Sequence, residues 1–279
     1  MKLQYSADAL NAMAHTLRVH VIQSIHAAGS GHPGGSLSLA EIMSVLFFRV
    51  MNVDPENPAY ENRDRFVLSK GHAAPVYYAA LSERGFFEKS ELLRLRKIDS
   101  FLQGHPDRKR IPGVDMSSGS LGQGISAACG MAYYAKQTGQ SWRTFCVLGD
   151  GELQEGQVWE ALMSAAHFRL SGLTAIIDRN GLQIDGAVSD VMNIEPLADK
   201  LLAFGWDVAE VDGHDVAALT EALEQPRGTE DRPLALICRT VKGKGVSHME
   251  NQAGWHGASI CDVDYVRAMA DLNRTTEVE

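Results

Sequence analysis

No stretch of this 279-residue chain approaches the roughly 20 consecutive apolar residues of a bilayer-spanning helix. That argues against a membrane protein. Basic charge is also short: 26 Lys and Arg stand against 35 Asp and Glu, for a net charge of -9. A nucleic-acid surface needs clustered Lys and Arg, so that class is set aside. Cysteine is sparse, and Cys129, Cys146, Cys238 and Cys261 are too far apart for a metal or redox motif. They read as buried thiols in a reducing compartment. The first 20 residues are amphipathic but lack the apolar core of a signal segment. A cytoplasmic location is therefore expected. No internal repeat, low-complexity tract or linker interrupts the chain, and one domain over 1–279 is expected.

What is present is apolar content of 45%, enough for a sizeable core. Short β-branched or apolar runs read as buried strands at 65–69, 143–149, 173–178, 206–211 and 234–241. Helical patterns occupy 7–28, 39–48, 73–83, 125–136, 157–168 and 216–223. Such alternation predicts an α/β fold, a parallel sheet with helices on both faces. Ligands of these sheets bind at the carboxyl ends of the strands. Two such ends carry hard oxygen donors. The fifth residue of "FCVLGDGELQEG" is Gly149 and the next is Asp150, followed by Gly151. The small neighbours would let backbone approach closely and adopt unusual dihedrals. About 30 residues on, "DRNGLQIDG" offers Asn180 and free turn carbonyls. A carboxylate, an amide oxygen and a carbonyl leave room for phosphate oxygens and water around magnesium. The competing reading is that Asp150 and Asn180 only cap turns.

Histidines divide the same way. His15, His20, His26 and His167 fall in helical patterns and read as ordinary. His32 in "SGHPGG", His72 in "SKGHAA" and His105 in "QGHPD" sit in glycine-flanked loops, where catalytic groups are usually found.

Together, "SGHPGGSLSLAEI", "DRFVLSKGHAAPVYYAAL", "GHPD", "SGSLGQGISAACGMA" and "GDGELQEGQVWEALMSAAHF" resemble the amino-terminal part of transketolase, in the family's order. The resemblance runs from about Asp8 to Gly257. It implies the diphosphate domain of the thiamine diphosphate fold, with thiamine diphosphate and Mg2+ as cofactors. Asp150, Asn180 and the Leu182 carbonyl would be the metal ligands. Gly149 and Gly151 would lie against the diphosphate. Gly119, Leu121 and Gly122 would touch the aminopyrimidine, and Ile184 the thiazolium. Ser120 stands where the family more often has proline. His32, His72 and His105 would line the substrate channel, bind sugar oxygens and move protons, which a group titrating near neutrality can do. His256 would approach the diphosphate. Lys242 and Lys244 are open between that role and solvated surface, and His248 has no assigned part. Glu155 matches a glutamate at a dimer contact that communicates with the ring-activating glutamate.

The domain that supplies that ring-activating glutamate is not expected within these 279 residues. The resemblance therefore implies one subunit of a two-chain transketolase. A second subunit would carry the pyrimidine-binding and carboxy-terminal domains, and the two would form a heterotetramer acting on a ketose donor and an aldose acceptor. Alternatives remain: the first component of a 2-oxo acid dehydrogenase, a deoxyxylulose phosphate synthase, or a silent paralogue that stabilises a partner. The sugar and the pathway cannot be read from the sequence.

Overall fold

The structure, a computed structural model, describes residues 2–224 and 231–275. The amino-terminal helix α1 (Ala7–Ala28) starts where the Ser6 hydroxyl accepts from the Ala9 amide at 3.3 Å, and stops at Gly29 in the left-handed region. Next come the short α2 (Pro33–Leu37), then α3 (Ala40–Val45), which continues into a π turn at Leu46–Val50. Strand β1 (Arg65–Leu68) leads through a 3-10 turn (Gly71–Ala73) into α4 (Ala74–Arg84). After α5 (Gln123–Thr138), β2 (Thr144–Gly149) enters the 3-10 turn Gly151–Gln154 and α6 (Gly156–His167). Strand β3 (Leu173–Arg179) is followed by a two-residue-stranded hairpin, β4 (Leu182–Gln183) and β5 (Gly186–Ala187). The chain then forms α7 (Val188–Met192), α8 (Leu197–Ala203), β6 (Asp207–Asp212), α9 (Val216–Glu224), β7 (Leu234–Arg239) and α10 (Asp262–Thr275).

Five strands form one parallel sheet in the order β1-β2-β3-β7-β6. They are the five predicted strands. β2 and β3 are buried on both faces, which is why they read as unbroken apolar runs. Alternate residues still face opposite layers. Phe66, Phe145, Val147, Ile176 and Leu236 join a core with α1, α3, α4 and α9. Val67, Cys146, Leu148, Ala175 and Ile177 join a second core with α5, α6 and α8, where Trp206 is fully buried. Helices thus cover both faces, as the sequence predicts.

The parallel order places the carboxyl ends of β1, β2, β3 and β7 along one edge. Ser69, Asp150, Asn180 and Thr240 follow one another across it. Among the described residues, no helix is long and apolar enough to cross a membrane. Three cysteines are buried as expected; Cys261 is exposed, because it stands at the open start of α10, where its thiol donates to Asp264 at 3.0 Å.

Candidate active site

Asp150 leaves β2 straight into a 3-10 turn, and its carboxylate is 3% exposed. It accepts from the Gly151 amide at 2.9 Å and the Gly181 amide at 2.6 Å. The latter bond ties the β2 end to the β3 end. Burial and then the nearby Asp178 carboxylate push the Asp150 carboxyl up to about 6. Asn180 accepts from the Leu182 amide at 3.1 Å through Oδ1. The Leu182 carbonyl accepts from the Lys242 ammonium at 3.1 Å. All three residues predicted to hold metal line one pocket of about 250 Å³. Gly35, Lys70, His72, Leu121, Gly149, Gly151, Ile184 and His256 line it too.

The glycines beside Asp150 are small for reasons of space alone. Neither Gly149 nor Gly151 has a positive φ, so the expectation of unusual dihedrals is not met there. A Cβ on Gly151 would lie 3.1 Å from the Gln183 side chain, and one on Gly149 would lie 3.4 Å from Lys70. Backbone conformation does require glycine in the neighbouring loop. Gly122 has φ +81°, and a Cβ there would meet the Glu155 side chain at 2.9 Å. Gly119 packs its backbone on the His105 ring, 3.0 Å from a built Cβ.

The structure brings together histidines from four separate loops. The His32, His72 and His256 rings lie 4.8 to 5.6 Å apart, centroid to centroid. His105 stands beside them behind Gly119. Burial, then the charge of Arg96, lowers His32 to about 4. Burial, then Lys242, lowers His256 to about 4. Burial drives His72 well below its ordinary value and, with Arg96, lowers His105 as well. Desolvation among cations keeps these rings neutral at physiological pH. Two tautomers follow from the donors. Arg96 points Nη2 at His32 Nδ1 at 3.5 Å, and Lys242 donates to His256 Nδ1 at 3.1 Å. Each Nδ1 is therefore the acceptor, leaving the proton on Nε2.

Of the residues left open by sequence, Lys242 belongs to the site: it is 2% exposed, and burial, then Lys70, lowers its ammonium to about 8. Lys244 lies 3.9 Å from Glu250, outside the pocket. His248 packs edge-on against Trp255, away from the pocket. Glu155 is exposed at the pocket rim. Ile184 is 66% exposed and Leu121 37%, so two apolar residues face outward beside the cavity. The buried Ser118 hydroxyl, at the start of the same loop, has no hydrogen-bond partner among the described residues.

Sequence reasoning missed four residues here. Glu152 is buried and accepts from the Ser69 hydroxyl, the Gly122 amide at 2.9 Å and the Gly149 amide at 3.1 Å. Lys70 is buried and donates to the Gly35 carbonyl at 3.0 Å. Arg96 adopts a left-handed backbone and reaches His32. His214 donates to Glu41 through Nδ1 at 2.9 Å and accepts from the Val241 amide at 2.8 Å, holding the start of the loop that carries Lys242. Glycine-flanked lysine before His72 was a usable signal for Lys70. The other three depend on partners far away in sequence, apart from the Gly149 amide beside Glu152.

A parallel sheet with helices on both faces and a pocket at its carboxyl edge defines a ligand-binding α/β domain. Residues 9–274 match the family described as "Transketolase, thiamine diphosphate binding domain", and the chain belongs to the transketolase family. It is 46% identical over 255 residues to transketolase of Homo sapiens and 47% identical over 253 residues to transketolase-like protein 2 of Bos taurus. It spans only about 40% of the length of either relative. It is also 41% identical to the 6-deoxy-6-sulfo-D-fructose transketolase subunit SqwG of Clostridium sp. (strain MSTE9), covering 95% of this chain and 96% of that subunit. The fold superimposes on a transketolase from Leishmania mexicana with a TM-score of 0.90 at 32% identity, over 97% of this chain and 42% of that one.

Proposed function

We propose that this chain is the diphosphate-binding subunit of a two-chain transketolase. The assembled enzyme moves a two-carbon ketol unit from a ketose donor to an aldose acceptor, with thiamine diphosphate and Mg2+. The observation that carries the reading is the convergence of Asp150, Asn180 and the Leu182 carbonyl on a pocket edged by neutral histidines. The near-complete match to one subunit of a relative, against about 40% of single-chain relatives, supports the two-chain arrangement.

The donor set fits a hard divalent cation. It offers one charged and two neutral oxygens, and a lysine ammonium already sits on one of them. Asp150, Asn180 and Leu182 would hold Mg2+, with Gly149 and Gly151 giving the diphosphate close access to backbone. Lys242 would balance part of its remaining charge from the other wall, where the neutral His256 could add a hydrogen bond. Leu121 and Ile184 would flank the rings with apolar surface. When bound, thiamine diphosphate supplies the nucleophilic carbon and the electron sink for carbon–carbon cleavage. His32, His72 and His105 would bind the sugar oxygens. With low proton affinity and Nε2–H directed by their partners, His32 and His256 are hydrogen-bond donors without being cations. Glu155 would meet the second subunit at the rim. Asp150→Ala tests the assignment by calorimetry with Mg2+ and thiamine diphosphate. The expected result is loss of metal-dependent cofactor binding. Wild-type affinity in that variant would remove the site.

A further inference from the structure

The reading above leaves one fully buried acid without a role. Asp178 lies in β3, two residues before Asn180. Its carboxylate collects donors from four separate segments. Lys70 donates at 2.5 Å, Ser38 at 2.7 Å and the Asn180 side-chain amide at 3.0 Å, all to Oδ2, while the Thr240 hydroxyl donates to Oδ1. We propose that Asp178 is a positioning residue for the metal site: it turns the Asn180 amide so that its oxygen, and not its amino group, faces the cation. The proposal rests on the assignment of Asn180 as a metal ligand.

An asparagine amide has two ends of nearly equal shape and opposite hydrogen-bonding character. Only the oxygen end can ligate a hard cation. An ionised carboxylate accepts and never donates, so whatever faces Asp178 must be a donor. Asn180 Nδ2 fills that place. On the other side, the Leu182 amide can only donate, and Asn180 Oδ1 accepts it at 3.1 Å. Both neighbours impose the same orientation. Lys70 gives Asp178 a second task within this design. It is 2% exposed and pairs with the acid, so the charge that orients Asn180 is balanced within the wall of the same pocket. Ser38 and Thr240 fix the carboxylate in place from the α2–α3 junction and the β7 end. A structural ion pair would need only Lys70; the bond to the amide of a ligand residue adds the orienting role.

The test uses Mn2+ as the probe, measured by calorimetry and electron paramagnetic resonance on the full chain with thiamine diphosphate present. D178N places an amide where only an acceptor fits, and lets the Asn180 amide turn. Losses of about 10- to 100-fold in metal affinity are typical when such an outer partner is removed, and that is the expected effect. D178N/N180D keeps the number of charges and the shapes. A carboxylate at position 180 has no wrong end, so the double variant should regain most of the affinity. Ser38→Ala removes one of four donors to Asp178 without touching Asn180, so its loss of Mn2+ affinity should be much smaller than that of D178N. Wild-type affinity in D178N overturns the inference, as does a loss that the double variant fails to restore, including loss through misfolding. A wild-type chain that takes up no Mn2+ overturns both this inference and the site assignment beneath it.

Discussion

Replacing Glu152 by Gln tests how the carboxyl edge of the sheet holds its loops. The carboxylate accepts from Ser69 at the β1 end, from Gly122 in the 119–122 loop and from Gly149 at the β2 end. Gln keeps one oxygen, which can still serve Ser69 and Gly122. Its amino group then faces the Gly149 N–H, donor against donor. An orphaned buried amide costs about 1–3 kcal/mol. The two surviving bonds also weaken once the charge is gone. Against that, burial raises the Glu152 carboxyl above its ordinary value, so removing the charge relieves part of a desolvation penalty. These two effects oppose each other, and the net cost is about 2 kcal/mol. For a chain of this size that lowers Tm by about 4–8 °C. Ser69→Ala removes a donor and orphans nothing apart from a lone pair, so it should cost about 0.5–1.5 kcal/mol. Thermal melting of the three proteins, with a parallel titration of thiamine diphosphate, checks the order. Glu152→Gln should also weaken cofactor binding, since Gly149, beside Asp150, loses its anchor and Gly122 keeps only a weaker bond. A Tm within about 1 °C of wild type and unchanged binding would refute the reasoning.

Burial alone would raise the Glu41 carboxyl, but Arg18 and His214 outweigh it and hold it at about 2, against an ordinary 4.5. A depressed carboxyl contributes stability above pH 4.5 that is lost as pH falls toward 2, about 3 kcal/mol for this shift. Urea unfolding of Glu41→Gln should show a large loss at pH 7, about 3–5 kcal/mol, and a flatter dependence between pH 4.5 and 2; equal pH slopes would count against the pair. In the assembled enzyme, His105→Ala should lower kcat/KM for ketose donors by about 100-fold with little change in cofactor affinity. Steady-state kinetics beside a cofactor titration separates the two, and a loss confined to cofactor affinity would mean that the His105 loop serves the diphosphate.

Strands were the most legible part of the chain, because burial on both faces writes itself as runs such as "FCVL" and "TAII". Helix α1 was equally plain, with Ser6 and Gly29 at its ends. Less legible were α2, which starts with Pro33 and two glycines, and the hairpin at Leu182–Gln183, whose strands are two residues long. Helices α7, α8 and α10 were also unread. In the site, Asp150 and Asn180 stood out as polar residues at the ends of apolar strands. Leu182 could not, since any residue can lend a carbonyl; only the resemblance to transketolase pointed to it. Asp178 read as the last letter of a strand. Its meaning depends on Lys70, 108 residues away, and Ser38, 140 away. Arg96 and Glu152 are hidden for the same reason: their partners meet only in the folded sheet.

Two-chain catalysis is the central claim, and ketol transfer by the purified chain tests it most directly. The pocket is open on the side where Leu121, Ile184 and Glu155 face outward. Half a pocket neither excludes water nor holds the cofactor in a reactive geometry. With Mg2+, thiamine diphosphate and a panel of ketose donors and aldose acceptors, the chain alone should give no transfer. Adding the second subunit should restore it. Mass spectrometry must first show the preparation free of host transketolase. Full turnover by the chain alone would contradict the account.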